Sequence, residues 1–338
     1  MESKVNDGGA KGSILIIVLW SLFFLAMLAV AVNSYVWPRL EVSSRLLGKA
    51  KMRYIASAGI RRAILEIKND STETYDSLHD TWSDNDEAFK EVPFGGGTFS
   101  AVRITPADKS KPEYGLTDEE SKININKAPA SVLQNLLKQE AGVADDDASA
   151  IADSILDWRD SDDALHKDGH ESDYYEGLNE HYECKNGDFE SLEELLLVYG
   201  MTRDIFDKIQ DIITIYGEGS VNVNTAGLRV LMAIGLDKGS AEKIMAFREK
   251  ENTAEDGDTP DNIFTDASSI AEVLNDEGES SGEDADAASI ARAATMLSVK
   301  SDNFRGDIAA SLSQGGISEK ITFIYDRSKG LVKYWREE

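Results

Sequence analysis

Seven carboxylates fall within one short stretch: Asp157, Asp160, Asp162, Asp163, Asp168, Glu171 and Asp173. Hard oxygen donors spaced by two or three along a loop suit Ca²⁺, which takes about six to eight oxygens in a flexible shell. A loop this acidic resists compaction without a cation, because each carboxylate raises the cost of ionising the next. The stretch is not an EF-hand, since the Asp-x-Asp-x-Asp-Gly pattern with a closing Glu is missing. A solvated acidic loop would carry the same residues. A softer donor set overlaps it: His166, His170, His181 and Cys184, whose His-x₃-His and His-x₂-Cys spacings suit zinc. Cys184 is the sole cysteine, so no intramolecular disulfide forms.

No catalytic motif accompanies these groups. Gly-x-Ser-x-Gly, a Walker glycine loop and His-Glu-x-x-His are all missing, and the 62 acids single out no glycosidase-type pair. The chain reads as a non-enzyme. Its net charge of −27 opposes binding to nucleic acid or to anionic lipid, and favours cations or a basic partner.

The elements that carry the acidic stretch repeat. Ile123-Asn124-Ile125-Asn126-Lys127-Ala128 recurs as Val221-Asn222-Val223-Asn224-Thr225-Ala226, and Ile155-Leu156-Asp157-Trp158-Arg159 resembles Ile244-Met245-Ala246-Phe247-Arg248. Each copy reads as an asparagine-capped entry, helix, turn and helix. A related helical piece runs from Ser191 to Met201 between them. The units resemble helix-hairpin-helix or SAM-like modules. The turn Ile234-Gly235-Leu236-Asp237 has one glycine and an acid where a phosphate would sit, so a packing role is expected rather than DNA binding. Residues 251–289 hold thirteen Asp or Glu and no Lys or Arg, which reads as a solvated or partly disordered insertion.

Strands bracket this helical block. Thr98–Thr105 alternates, and Ile308–Leu312, Lys320–Tyr325 and Leu331–Trp335 are split by turn residues. Before them lies Ser13–Trp37, an uncharged apolar stretch. As a helix it reaches about 37 Å, enough to cross a hydrocarbon core of about 30 Å. The apolar stretch is too long for a cleaved secretory signal, and lysines and arginines on both sides leave the orientation open. Apolar positions from Leu40 to Ile67 at spacings of 3, 4 and 7 extend the helix to about residue 70, with a kink expected at Pro38. The fold class is therefore α+β: a long N-terminal helix on a small antiparallel sheet, with a large all-α domain inserted.

Lys11-Gly12-Ser13 resembles the junction of a type IV prepilin leader, which prepilin peptidase cuts after the glycine. Ile17 stands at the fifth position counted from Ser13, where most pilin-like proteins have Glu. A carboxylate there costs about 2.5–3.5 kcal/mol to insert and is kept when it has a partner. With Tyr174-Tyr175, Lys185-Asn186, Phe189-Glu190-Ser191-Leu192-Glu193-Glu194-Leu195 and Val198-Tyr199-Gly200-Met201, the chain resembles a minor pseudopilin of the general secretion protein K family of type II secretion.

The resemblance implies a subunit held in the inner membrane by one span, with its bulk in the periplasm. Ser13 would be N-methylated after cleavage at Gly12. The subunit would cap the pseudopilus tip with minor pseudopilins I and J, help initiate assembly, and support export of folded proteins across the outer membrane. Prepilin peptidase, the major pseudopilin and the inner-membrane assembly platform would be its other partners. Calcium is implied in the helical domain, with Asp160, Asp162, Asp163, Glu171 and Asp173 as its ligands. Implied boundaries are a leader at 1–12, the two halves of the long helix at 13–37 and 38–70, a pilin-like first part at 71–120, the helical insertion at 121–300 and closing strands at 301–338. A periplasmic binding protein on a single-pass anchor, holding a ligand in its helical repeats, is the competing expectation.

Overall fold

The computed structural model describes residues 10–70, 72, 74–103, 112–249, 262–266, 269–270, 273, 292–313 and 318–338. Most of the expected leader and most of the 251–289 run lie outside the described residues. One helix, α1 (Ala10–Lys68), carries both the apolar stretch and the amphipathic stretch. Pro38 lies inside it without ending it, at the loss of one backbone hydrogen bond. From Ile14 to Trp37 the large apolar side chains are all exposed, and this helix is long and apolar enough to cross a membrane.

The lower part of α1 has a different environment. Met52, Ile55, Ala56, Ile60, Ala63 and Ile67 are buried, at the spacing of one helical face. Leu40, Leu46, Leu47, Tyr54 and Leu65, expected on the packed stripe, are exposed. The sheet core begins only at Met52, before which Leu40, Leu46 and Leu47 stay exposed, while Tyr54, beside Phe94 at 5.9 Å, and Leu65 lie off the buried face of the packed stretch. Gly59 lets the helix backbone come down on the sheet: a Cβ there would lie 2.9 Å from Ile308 Cγ2 and from the Phe99 ring.

After the short α2 (Asp86–Phe89), the sheet begins with β1 (Val92–Phe94), β2 (Gly97–Arg103), β3 (Glu113–Tyr114) and β4 (Thr117–Asp118). The chain then leaves the sheet, runs through the helical domain and returns as β9 (Asn303–Leu312), β10 (Ser318–Asp326) and β11 (Leu331–Glu337). The order is β1-β2-β9-β10-β11, with β3 on β2 and β4 on β9. All pairs are antiparallel, and Phe99 faces Ala310 while Ala101 faces Ile308. Phe304, Phe323 and Trp82 complete this core, with Trp82 edge-on to Phe304 at 4.9 Å.

The helical domain is a duplication. The first unit runs from β5 (Ile123–Asn124) through α3 (Ala130–Leu136), α4 (Asp145–Arg159), α5 (Ser172–Glu176) and α6 (Arg203–Ile209) to β6 (Ile213–Thr214). The second runs from β7 (Val221–Asn222) through α7 (Leu228–Ala233) and α8 (Lys238–Arg248) to β8 (Leu297–Ser298). In each unit the first strand pairs in parallel with the last.

The repeated asparagines do not cap helices, as the sequence suggests; Pro129 and Gly227 hold those positions. Instead, Asn124 Oδ1 accepts from the Asn126 amide, and Asn222 Oδ1 from the Asn224 amide. Asn126 then clamps the backbone of Phe189 through both its N–H and its C=O, and Asn224 clamps Phe264 in the same way. Arg159 donates to the carbonyls of Ile125 and Ala128, and Arg248 to those of Val223 and Ala226.

Part of the acidic run is thereby corrected. Phe264, Ile263 and Ile270 are buried, so the second unit is anchored from inside a stretch that reads as solvated. Gly235, at φ 111°, ends α7, and the turn that might have held a phosphate serves as a helix terminus.

If the clamps hold the two units closed, Asn224→Ala leaves a buried N–H and C=O of Phe264 without partners. We expect a loss of about 1–3 kcal/mol in urea unfolding of the full chain in detergent, and a similar loss for Asn126→Ala. A loss below about 0.5 kcal/mol for both would mean that the clamps are not structural.

Candidate functional site

The acidic loop is held at its start by α4. Trp158 anchors the end of this helix, edge-on to Tyr175 at 5.2 Å and stacked on Phe189 at 6.5 Å. Trp158 lies in the core, and Asp157 is fully buried on the face of α4 that it shares with Asp153, one turn earlier. The chain then loops out and folds back. The His166 amide donates to Asp157 Oδ1 at 2.9 Å, and the Asp168 amide to Asp153 Oδ2 at 3.1 Å. Gly169 passes so close that a Cβ there would lie 1.9 Å from Asp157 Oδ2. No larger residue fits against that carboxylate.

Several oxygens in this pocket have no hydrogen-bond partner. Asp157 Oδ2, both oxygens of Glu171 and Asn186 Oδ1 are buried and unsatisfied. Burial pushes the Glu171 carboxyl up, and the charges of Asp157, Asp160 and Asp163 add to the shift. Burial likewise raises Asp160, helped by Asp162 and Asp157. The bond to Asp157 raises His166. Asp157, Asp160 and His166 place one donor atom each within 4.8 Å of one another. Buried carboxylate and amide oxygens left without donors are the set a hard cation satisfies.

The expected ligands divide. Asp160 lies at the end of α4 beside His166, and Glu171 is buried at the start of α5. Asp163 accepts from Asn186 Nδ2 at 3.0 Å. Asp162 is exposed and accepts from the Ala164 amide, which is an ordinary turn role. Asp173 is exposed in the first turn of α5.

Asp157, the first of the seven acids in the stretch, and Asn186 are donors outside the ligand set that the resemblance implied. Asp157 sits between Leu156 and Trp158, and an acid flanked by core residues on a helix was the available signal. Asn186 has a left-handed backbone, at φ 48°, in the Lys185-Asn186-Gly187 turn.

The zinc donors do not come together. His166 faces Asp157; His170 stacks on Tyr199 at 3.6 Å and contacts Ser154 Oγ through Nδ1 at 2.9 Å. His181 Nδ1 lies on the Glu176 carbonyl. Cys184 is buried against the Asp157 carbonyl, and burial pushes its thiol up to about 12, far from a thiolate. The aromatic and backbone packing of the loop takes each of them separately.

A second acidic group, Asp70, Asp76 and Asp80, already has its cation. Arg327 donates to both oxygens of Asp76, at 2.8 and 2.7 Å, and lies 3.8 Å from Asp70. At the other end of the molecule, Ser13 and Ile17 lie near the start of α1, where Ile17 is exposed.

Three similarities bear on this arrangement. Residues 114–218, which contain the whole acidic loop, match a family model described as type II secretion system (T2SS), protein K. Type II secretion system protein K of Pectobacterium carotovorum subsp. carotovorum is 31% identical over 110 residues. That match covers 32% of this chain and about a third of the relative's length, 33%. A chain of the GspK-GspI-GspJ complex from the enterotoxigenic Escherichia coli type 2 secretion system superposes with a TM-score of 0.61 at 16% identity. The superposition covers 89% of this chain and 98% of that one, so the likeness of fold extends to α1, the sheet and both helical units. Residues 114–218, which carry the acidic loop, are thus similar to type II secretion system protein K, and the fold of the long helix, its sheet and the inserted helical domain is similar to that of the matched chain of the GspK-GspI-GspJ complex.

Proposed function

We propose that the chain is a minor pseudopilin that caps a type II secretion pseudopilus, helps initiate its assembly and supports export of folded proteins. The observation that carries this is the division of α1: its upper half is apolar and exposed, and its lower half is packed on a sheet that bears a bulky helical domain. Such a helix can rest in the inner membrane and then enter a helical filament. Ile17 suits the last subunit. A fifth-position Glu needs the N-terminal amine of a neighbour nearer the tip, and a tip subunit has no such neighbour. The helical domain, inserted at the end of the sheet, would obstruct a further subunit. Minor pseudopilins I and J are the proposed partners at the tip, with the major pseudopilin below and the inner-membrane platform as the site of assembly.

In this reading prepilin peptidase cuts between Gly12 and Ser13, and Ser13 becomes N-methylated. Mass spectrometry of the mature chain from membranes is expected to find a methylated Ser13 at the N-terminus. An intact Met1 or cleavage elsewhere overturns it. Co-expression with minor pseudopilins I and J is expected to recover all three on one affinity tag.

We also propose Ca²⁺ in the acidic loop, held by Asp157, Asp160, Glu171 and Asn186, with Asp163 positioned through Asn186. The ion would balance the buried charge and tie the end of α4 to the start of α5. Its role is structural. At a free concentration near 100 Kd a bound ion adds about 2.7 kcal/mol. Chelation is therefore expected to lower Tm by roughly 5–10 °C, and Ca²⁺ to restore it. Asp157→Asn should remove most of the calcium-dependent shift. An unchanged Tm on chelation and re-addition excludes the site.

A further inference from the structure

Asp118, Glu119 and Glu120 are consecutive acids, and all three are buried. They occupy the point where the chain leaves β4 for the helical domain. Glu119 has a cation: Lys122 Nζ lies 2.6 Å away, and Thr214 Oγ1 donates to its other oxygen. Asp118 and Glu120 are met by neutral donors. Asp118 Oδ2 accepts from Ser301 Oγ at 2.6 Å, Thr225 Oγ1 at 2.5 Å and Asn222 Nδ2 at 3.2 Å. The Asn303 amide and side chain donate to the two oxygens of Glu120, at 2.9 and 2.7 Å.

These donors come from both bodies. Asn222 and Thr225 belong to the second helical unit; Asn303 begins β9, the strand that re-enters the sheet, and Ser301 lies two residues before it. The acid pair is therefore the joint between them.

The charges around the joint are committed elsewhere. Arg327 binds Asp76, on the loop whose backbone also meets Asn222. Lys333 binds Asp326 and reaches only the Asn303 carbonyl oxygen of the side chain. Arg305 pairs with Asp307, and Tyr216 lies on the Glu119 side. Among the described residues, the salt bridges assign no Lys or Arg to Asp118 or Glu120. The Glu120 amide donates to Asp118 Oδ1 at 2.8 Å, and two buried acids two residues apart with no paired cation do not both ionise readily. Burial and the Asp118 charge push Glu120 up to about 8, and burial raises Asp118 as well. Asp118, with three side-chain donors, is the better anion, and Glu120, met by Asn303 alone among the described residues, is the better holder of the proton.

We propose that Asp118 and Glu120 form a shared-proton lock, closed while the pair holds one proton and loosened when that proton leaves. The sign follows from linkage. The folded pair keeps a proton that the unfolded chain releases in the ordinary carboxylate range, so the pair's stabilisation falls as pH rises toward about 8.

Hydrogen exchange by mass spectrometry on the full chain in detergent tests this, with intrinsic rates corrected at each pH. For backbone around β4, the 119–121 turn and residues 301–303, the opening equilibrium is expected to rise about tenfold per pH unit between roughly pH 6 and 8. The α1–β10 core should not follow. Glu120→Gln supplies a neutral side chain, and should hold the joint closed with a flat profile. Asp118→Asn should also flatten it. A flat profile in the unmodified chain overturns the lock, as does an undiminished slope in Glu120→Gln.

Discussion

The constraint behind this architecture is the pairing of β2 with β9. These strands are hydrogen-bonded neighbours, Gly97 facing Leu312 and Ala101 facing Ile308, although two hundred residues of chain separate them. An insertion placed there must leave and return at nearly the same point. Long loops cost entropy slowly, so the size of the insertion is tolerated if its own ends lie close together. Each helical unit meets that condition by pairing its first strand in parallel with its last. The insertion therefore closes on itself twice before the sheet resumes.

The same constraint explains where polar groups are buried. Entry and exit strands bring backbone from two bodies into one place, and those groups need partners away from water. Asn222 answers this at the joint by donating to Asp118, to Ser301 and to the backbone of Asp76. The helix α1 has the opposite arrangement. Its contact with the sheet is apolar, and its polar links are at the rim, where Arg53 meets Glu337 and Lys49 meets Glu319. The partly exposed Arg53–Glu337 pair contributes little to stability, whereas Glu319 is buried where Lys49 reaches it. The stalk is therefore held mainly by a narrow apolar face from Met52 to Ile67, with Lys49 reaching Glu319 at 3.6 Å just above it.

Much of this was legible in the chain. The 3.6-residue period of α1, the alternation of β2 and the Ile-Asn-Ile-Asn repeat each state a local preference that the fold obeys. The asparagines misled because Asn is favoured at helix starts, whereas these side chains serve backbone at positions 63 and 40 residues away. The buried apolar residues of the acidic run were hidden by their neighbours: Phe264 is one aromatic among carboxylates, and only its clamp by Asn224 places it in the core. At the loop, spacing identified the acids but not their direction. Asp162 and Asp173 follow the pattern and face solvent, while Asp157 lies inward on the buried face of α4 with Asp153.

The duplication bears on what the acidic loop is for. Both units run from the arginine that ends their second helix to the phenylalanine clamped by their asparagine. Between Arg159 and Phe189 the first unit uses 29 residues; between Arg248 and Phe264 the second uses 15. The second unit thus reaches the same anchor with about half the chain, so closing the unit does not require the longer path. Extra chain costs ordering entropy, and here it also buries Asp157 and Glu171 without hydrogen-bond partners for their free oxygens. Apolar packing offsets part of that cost, since Tyr175 and Cys184 of the longer path are buried in the core, although Leu165 is exposed. The cation proposed for the loop would meet those oxygens and so adds a contribution of the right sign to the rest.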